Sequence, residues 1–266
     1  MNISQQIEAA FTDARARYPE LALAWVEISY RVGSLPPNSA LSATTQRDGS
    51  IDLLLRCMED EQVQRVAGEF AFQYQKMLSD YWIGSVYEIF RLLRDRKLAD
   101  VPLGFSEVLA DLELIRMPLE KHELPKDRKL EAPLEMIRNP PKNDSTDIYV
   151  YDPKDNRRAH IMGFGVSTKT GSVIWHGIDI ASKSDRWIER RDLADRSPLY
   201  LGTMALVLWL IPLRAKQRNP FEAHSAATRP IENSGTAPRR LRQQCARAPA
   251  RARGAGVPRG SLPAVR

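Results

Sequence analysis

The residues of this chain best suited to chemistry are polar ones set inside its most apolar helical segment. In "YWIGSVYEIFRLL", which begins at Tyr81, hydrophobic residues surround Ser85, Glu88 and Arg91, and Asp80 comes directly before them. Ionisable side chains on a face that periodicity would bury must be paired or functional, because an unpaired buried charge is costly. Glu88 and Arg91 are three residues apart and can pair along one helix face. We favour a structural ion pair over a catalytic role.

Several common catalytic and metal-binding patterns are absent from the sequence. The four histidines are far apart and form no HxH or HExxH pattern, and the two cysteines supply no zinc-binding pair. There is no GxxxxGK[ST] phosphate loop and no GxSxG nucleophile motif. The sequence therefore predicts neither a metal site nor a cofactor.

The segment "LSDYWIGSVYEIFRLLRD", followed by "LELIRMPLEKHE", resembles uncharacterised bacterial helical proteins related to the HEPN class over about residues 78–125. Many HEPN domains are metal-independent ribonucleases or parts of toxin and phage-defence systems, and carry an arginine and a histidine separated by four to six residues. Arg116 and His122 match that spacing. The resemblance implies His122 as general base or acid at a ribose 2′-hydroxyl and Arg116 as stabiliser of the phosphoryl charge, with Glu88 and Arg91 in the same pocket.

Hydrophobic periodicity predicts one long central helix from about Glu59 to Lys97. Its second half is apolar nearly all round, which is typical of a helix at the centre of a core. A straight helix of this length would measure about 58 Å, so we expect a bend near Gly68 or Gly84. Steps of three and four in the first half define an apolar stripe made of Val63, Val66, Phe70, Tyr74, Met77 and Tyr81.

Shorter elements complete a helical core over about residues 1–120. A first helix follows Asn2 or Ser4 as its cap, and a later one has Ser106 as its cap and ends at Pro118. The buried face of the later helix is predicted to hold Phe105, Val108, Leu109, Leu112 and Ile115. Between these two helices, alternation over 24–32 predicts a strand, and residues 34–50 are predicted to form a loop or hairpin. After the later helix, residues 120–147 are predicted to be a surface connection.

The chain then becomes rich in β-forming residues. Three runs, "DIYVY", "AHIMGFGV" and "SVIWHGIDIA", are separated by turn sequences and predict an antiparallel meander over about 147–181. A short helix over about 184–196 follows. The fold class is therefore predicted to be α+β, a helical core with a small meander. Four aromatic residues lie on these strands: Tyr149, Tyr151, Phe164 and Trp175. They could stack on bases or a ligand, or cover the helical core, and we favour the second role.

The positive charge of the chain lies in its last segment. The formal net charge is +6 and the pI about 9.4, but arginines concentrated in 214–266 supply the excess and leave residues 1–213 mildly acidic. The pI therefore indicates no basic groove on the body of the protein. The tail is dominated by arginine, alanine, proline and glycine, which predicts disorder. It is either a frameshift product or an arginine-rich arm that binds nucleic acid or anionic lipid.

One uncharged segment, residues 197–213, raises the question of a membrane. Its length is at the short edge of the roughly 17–25 residues that span a bilayer, and Pro198 and Pro212 shorten the usable helix, so we favour a buried terminal helix or a frameshift product. The N-terminus lacks a secretory-signal pattern. Cys57 and Cys245 cannot build a disulfide framework. These features predict a cytoplasmic protein.

We interpret residues 1–196 as a single α+β domain, followed by the apolar segment 197–213 and the tail 214–266. The favoured function is a non-catalytic interaction or regulatory module, in a toxin or defence system by the resemblance. Its partner would be another protein or a second copy joined through the long apolar helix. A metal-independent ribonuclease acting on RNA is the first alternative, and a membrane-tethered protein anchored by 197–213 is the second.

Overall fold

The computed structural model describes residues 1–35, 40–98, 102–137 and 148–210, of which 137 and 204–210 are described by their backbone alone. Six helices lie in these ranges: α1 (Ile3–Arg17), α2 (Pro19–Gly33), α3 (Leu41–Gln64), α4 (Ala71–Asp95), α5 (Phe105–Lys121) and α6 (Arg190–Leu210). Five strands accompany them: β1 (Leu134–Ile137), β2 (Ile148–Tyr151), β3 (Phe164–Val166), β4 (Val173–Asp179) and β5 (Ser184–Glu189). The predicted α+β class, a helical core with a small amount of antiparallel sheet, is confirmed.

The strands form two antiparallel sheets where one meander was predicted. β1 pairs with β2, and β3, β4 and β5 form the other sheet in that order. β1 lies in the region expected to be a surface connection, and Leu134 is opposite Tyr151. The expected helix over 184–196 was placed too early, because 184–189 pair with β4 and the helix starts at Arg190.

The strand predicted over 24–32 is wrong, since these residues belong to α2. Pro19 occupies the first turn, where the missing N–H leaves no helix hydrogen bond unmade. The negative charge of Glu20 is stabilised by the positive end of the helix dipole. The buried residues are spaced as on a helix face: Trp25, Ile28, Ser29 and Val32. Two members of the alternating set, Val26 and Tyr30, are exposed.

The loop predicted over 34–50 is also wrong from Leu41 onward, where α3 begins. Its buried face is largely polar, which removes the hydrophobic signal: Thr45, Asp48, Asp52, Arg56 and Glu59 are all buried. Gly49 does not mark a turn. A side chain there would bring its Cβ within 2.5 Å of the Trp25 ring, so the glycine permits α2 and α3 to pack closely.

The long central helix is two helices with a break at the first expected position. α3 ends at Gln64, Arg65 has a positive φ of 58°, and α4 starts at Ala71. Gly68 lies in the break, whereas Gly84 lies inside the continuous α4. The second half of α4 is at the centre of the core, as predicted, with Trp82 and Phe90 fully buried.

The face predicted for the later helix, α5, is confirmed, since all five of its apolar residues are buried. Its ends were predicted wrongly. The N-cap residue is Gly104. The helix does not end at Pro118 but continues to Lys121, and His122 is its C-cap in the left-handed conformation. Among the strand aromatics, Trp175 joins the main core and Tyr151 a smaller one, while Phe164 is partly exposed.

The segment 197–213 begins inside α6. Ser197 and Leu201 are buried, and the helix continues through Pro198 to Leu210. No helix among the described residues combines the length and the apolarity needed to cross a bilayer. Residues 211–213 and the tail 214–266, with its predicted disorder, lie outside the described part of the chain.

Candidate functional site

Three of the four predicted site residues meet between α4 and α5. Arg116 Nη2 lies 3.0 Å from Glu88 Oε1 and 2.7 Å from Glu120 Oε2. Arg91 Nη2 donates to Glu88 Oε2 at 2.6 Å, so the expected pairing of Glu88 with Arg91 is confirmed. The Arg116 guanidinium also lies 4.7 Å from the centre of the Tyr87 ring. This cluster joins two helices by charge.

The fourth residue, His122, is not brought to the cluster. On a helix, residues six apart lie on different faces, because six steps of about 100° leave them about 120° apart around the axis. His122 is an exposed C-cap, and no hydrogen bond or ion pair of its side chain occurs among the described residues. Its backbone oxygen instead accepts a hydrogen bond of 2.7 Å from the His160 N–H.

We therefore expect the full chain, assayed in EDTA, to leave single-stranded RNA uncut. Arg116 is held by carboxylates on both sides, and no histidine of the described part of the chain pairs with it or with those carboxylates. The measurement is the rate of RNA cleavage for the wild type, Arg116→Ala and His122→Ala. Cleavage by the wild type that both folded variants lose would contradict this expectation and support the ribonuclease alternative.

A helix cleft of about 600 Å³ lies beside this cluster, lined in part by Arg47, Asp80, Ser85 and Glu88. Asp48, fully buried behind it, accepts a hydrogen bond of 2.7 Å from Ser85 Oγ. Burial raises the pKa of Asp48 to about 6, although the Ser85 hydrogen bond and Arg47 lower it. Arg47 Nη2 also donates to Ser85 Oγ at 3.1 Å. Asp48, Ser85 and Arg47 therefore hydrogen-bond one another, as in a structural cluster, whereas Asp80 Oδ1 is buried without a partner among the described residues.

The larger cavity, about 1090 Å³, opens between the two sheets, and we call it the His cleft. β1 supplies one wall, the end of β4 and the start of β5 supply the other, and residues just before β3 also line the cavity. Its apolar lining includes Leu130, Leu134, Met136, Ile161, Ile178 and Ile180. Two histidines, His160 and His176, stand among them. A large cleft with apolar walls and a few convergent polar groups is the usual form of a ligand site.

His160 is the most unusual residue of the His cleft. It is only 5% exposed, its Nδ1 lies 2.7 Å from Tyr149 Oη, and its Nε2 has no hydrogen-bond partner among the described residues. Burial, assisted by His176, lowers the pKa of His160 to about 4, so its ring is neutral at pH 7. A buried polar atom without a partner carries a free-energy penalty that a bound molecule would remove.

His176 is held in place on the opposite wall. Its Nε2 lies 2.5 Å from Asp185 Oδ2, and its ring centre lies 5.1 Å from that of Trp187. β4 and β5 position all three residues, since His176 is directly opposite Trp187 in the sheet register. Trp187 lines the His cleft and is 56% exposed.

The sequence did not identify this site. The histidines were dismissed because they are far apart along the chain, and only the antiparallel pairing brings them to one cleft. One signal was present: alternation along β4 places His176 on the same face as Ile174 and Ile178. A histidine among isoleucines on one strand face marks a surface that is neither core nor ordinary solvent face.

Comparison with known proteins adds no functional assignment. No family model, no curated protein and no solved structure matches the chain. No cluster of three or more potential metal ligands occurs among the described residues. The chemistry of the His cleft, two histidines and an aromatic residue with apolar walls, suits the binding of an organic molecule.

Proposed function

We propose that this protein is a ligand-binding regulatory module whose ligand occupies the His cleft. The unpartnered Nε2 of the buried His160 carries the proposal, because among the described residues with such an atom His160 is the one that lines the His cleft, where a bound molecule would supply the missing hydrogen bond. A ligand that binds only the folded state also stabilises that state, so the stability of the module would respond to the ligand concentration. A reducing compartment, the cytoplasm, fits the buried free thiol of Cys57.

The test is a fragment screen by ligand-observed NMR, with neutral, anionic, cationic and purely apolar compounds. Ala132 lines the His cleft and is exposed, so Ala132→Trp adds bulk without removing a contact. We expect fragments that bind the wild type and lose at least tenfold in affinity with Ala132→Trp at an unchanged unfolding temperature. Absence of any fragment with this behaviour would refute the proposed function.

A second candidate function, self-association, rests on the apolar stripe. Its six residues are between 45% and 67% exposed, although a helical core would have buried them. The tail is too poor in large apolar residues to cover the stripe itself.

We propose that a second copy of the chain covers the stripe in a two-fold arrangement. Sedimentation equilibrium should then give about twice the monomer mass of 30.2 kDa. Phe70→Glu and Met77→Glu should each weaken the dimer at least tenfold, because a charge would be buried in the contact. Ile7→Glu, a similar change at an exposed residue of α1, should leave the dimer intact. A monomeric wild type at millimolar concentration would exclude this arrangement.

A further inference from the structure

We propose that the molecule recognised by the His cleft is a flat, uncharged aromatic compound that offers a hydrogen-bond acceptor to His160 Nε2. This inference rests on the proposed function and names the class of ligand. Three features of the cleft carry it: the hydrogen-bonding of His160, the charge around the opening, and the aromatic surface of Trp187.

The need for an acceptor follows from the contact between His160 and Tyr149. A phenol is the better donor of the pair and an unprotonated imidazole nitrogen the better acceptor, so the Tyr149 hydroxyl donates to Nδ1 over the 2.7 Å that separates them. In a neutral ring the proton then resides on Nε2. That N–H has no partner among the described residues. A ligand carbonyl or ether oxygen satisfies it, whereas a ligand group that only donates, such as an ammonium or amide N–H, does not.

The lack of charge follows from the ionisable residues around the opening. Four carboxylates and two ammonium groups line the His cleft: Glu131, Glu135, Asp179 and Asp185, with Lys129 and Lys183. The excess of negative charge repels an anion as it approaches, which disfavours nucleotides, phosphates and fatty acids. A cation would be drawn to the opening, but it would then face a neutral imidazole donor at the base of the cleft.

The flat aromatic character follows from the two walls. Trp187 presents a large exposed ring at the opening, and His176 packs against it at an interplanar angle of 36°. Aromatic rings gain from stacking beyond the area that they bury. The facing wall offers the apolar side chains of Leu134 and Met136 from β1, on either side of Glu135. A planar molecule between these walls would be in contact on both faces.

Three probes of similar size separate these features. Coumarin is planar and uncharged and has a carbonyl acceptor, naphthalene has the same two-ring shape without the acceptor, and coumarin-3-carboxylate adds a negative charge. Dissociation constants are measured for the full chain by ligand-observed NMR at pH 7. We expect coumarin to bind about tenfold more tightly than naphthalene, as one hydrogen bond to an otherwise unsatisfied group provides, and coumarin-3-carboxylate to bind more weakly than coumarin.

Two variants of His160 test which ring nitrogen is used. The amide nitrogen of glutamine reaches about the position of Nε2, whereas that of asparagine is near the position of Nδ1. His160→Gln should therefore keep the preference for coumarin over naphthalene, and His160→Asn should lose it. Naphthalene affinity serves as the internal control for folding, because it should be the same in both variants.

Some outcomes would overturn only the class of ligand, and others would overturn the binding function as well. Equal affinity for coumarin and naphthalene in the wild type, a preference that His160→Asn retains, or a tighter complex with coumarin-3-carboxylate would each overturn the inference. If cationic or anionic fragments occupy the His cleft and coumarin does not, the ligand class is wrong and the binding function stands. If no fragment of any class binds there, the proposed function fails as well.

Discussion

Replacing Arg190 with methionine is expected to lower the free energy of unfolding by about 3–5 kcal/mol, because it leaves buried carboxylates without their main counter-charge. The Arg190 side chain is fully buried at the start of α6. It donates to both oxygens of Glu59, at 2.5 and 2.8 Å, and to Asp52 Oδ1 at 2.7 Å. Burial lowers the pKa of Arg190, but the two carboxylates more than offset this and the pKa is raised. Urea unfolding at pH 7 measures the loss.

The neighbouring contacts permit a sharper test. Glu59 keeps Arg191 Nε at 2.6 Å, so Glu59→Gln removes the excess negative charge that Arg190→Met exposes. The double variant should therefore be less destabilised than the sum of the two single variants by about 1–3 kcal/mol. Arg17→Met, which breaks an exposed pair with Asp13, should have no measurable effect. Strictly additive effects would mean that the buried network is not coupled as the distances indicate.

Asp48→Asn is expected to stabilise the protein increasingly as the pH rises from 4 to 7. The folded-state pKa of Asp48 is about 6, above its ordinary value of 3.8. Between these two values the folded protein holds a proton that the unfolded chain has released, so the stability of the wild type decreases as pH rises. The shift corresponds to about 3 kcal/mol, which the neutral asparagine would not lose. Thermal or urea unfolding at several pH values provides the difference curve.

The sign of this curve is distinctive because other groups act in the opposite direction. The pKa of His160 is lowered to about 4, so its contribution is fully present above pH 6.5 and is lost as the pH decreases toward 4. Asp95→Asn is the matched control, since the pKa of this exposed carboxyl is lowered by Arg94. The account of Asp48 would be contradicted if the stability difference between Asp48→Asn and the wild type were independent of pH or decreased as the pH rises. Either result would show that the folded state does not raise the pKa of the Asp48 carboxyl.

The sequence predicted α5, whose buried face is apolar, and missed the start of α3, whose buried face includes five polar residues. The α5 face from Phe105 to Ile115 has a clear helical period, and it is buried as expected. α3 has no such period, because its buried positions include Asp52, Arg56 and Glu59. Arg190, the counter-charge of Asp52 and Glu59, is more than a hundred residues away, and no local pattern can reveal that partner. The start of α3 was interpreted as a loop because residues 34–50 are rich in Ser, Pro, Asn and Thr and contain Asp48-Gly49.

The candidate site escaped prediction for a related reason. Pairing of Glu88 with Arg91 is a contact within one helix turn and could be predicted from spacing. His160 and His176 approach one another only because β3 and β4 are antiparallel neighbours and because β1 and β2 form a separate sheet across the cleft. Which residues line the His cleft therefore depends on how the strands pair, and the spacing of the histidines along the chain does not reveal that pairing.

The most direct measurement of the central claim is a long-range proton–nitrogen NMR spectrum of the histidine rings at pH 7, recorded with and without coumarin. We predict that His160 is neutral with its proton on Nε2, and that this nitrogen resonance moves when coumarin is added. The exposed His122 is the internal control and should not move. A doubly protonated His160 at pH 7, or a His160 resonance unaffected by coumarin while another ring responds, would contradict the account.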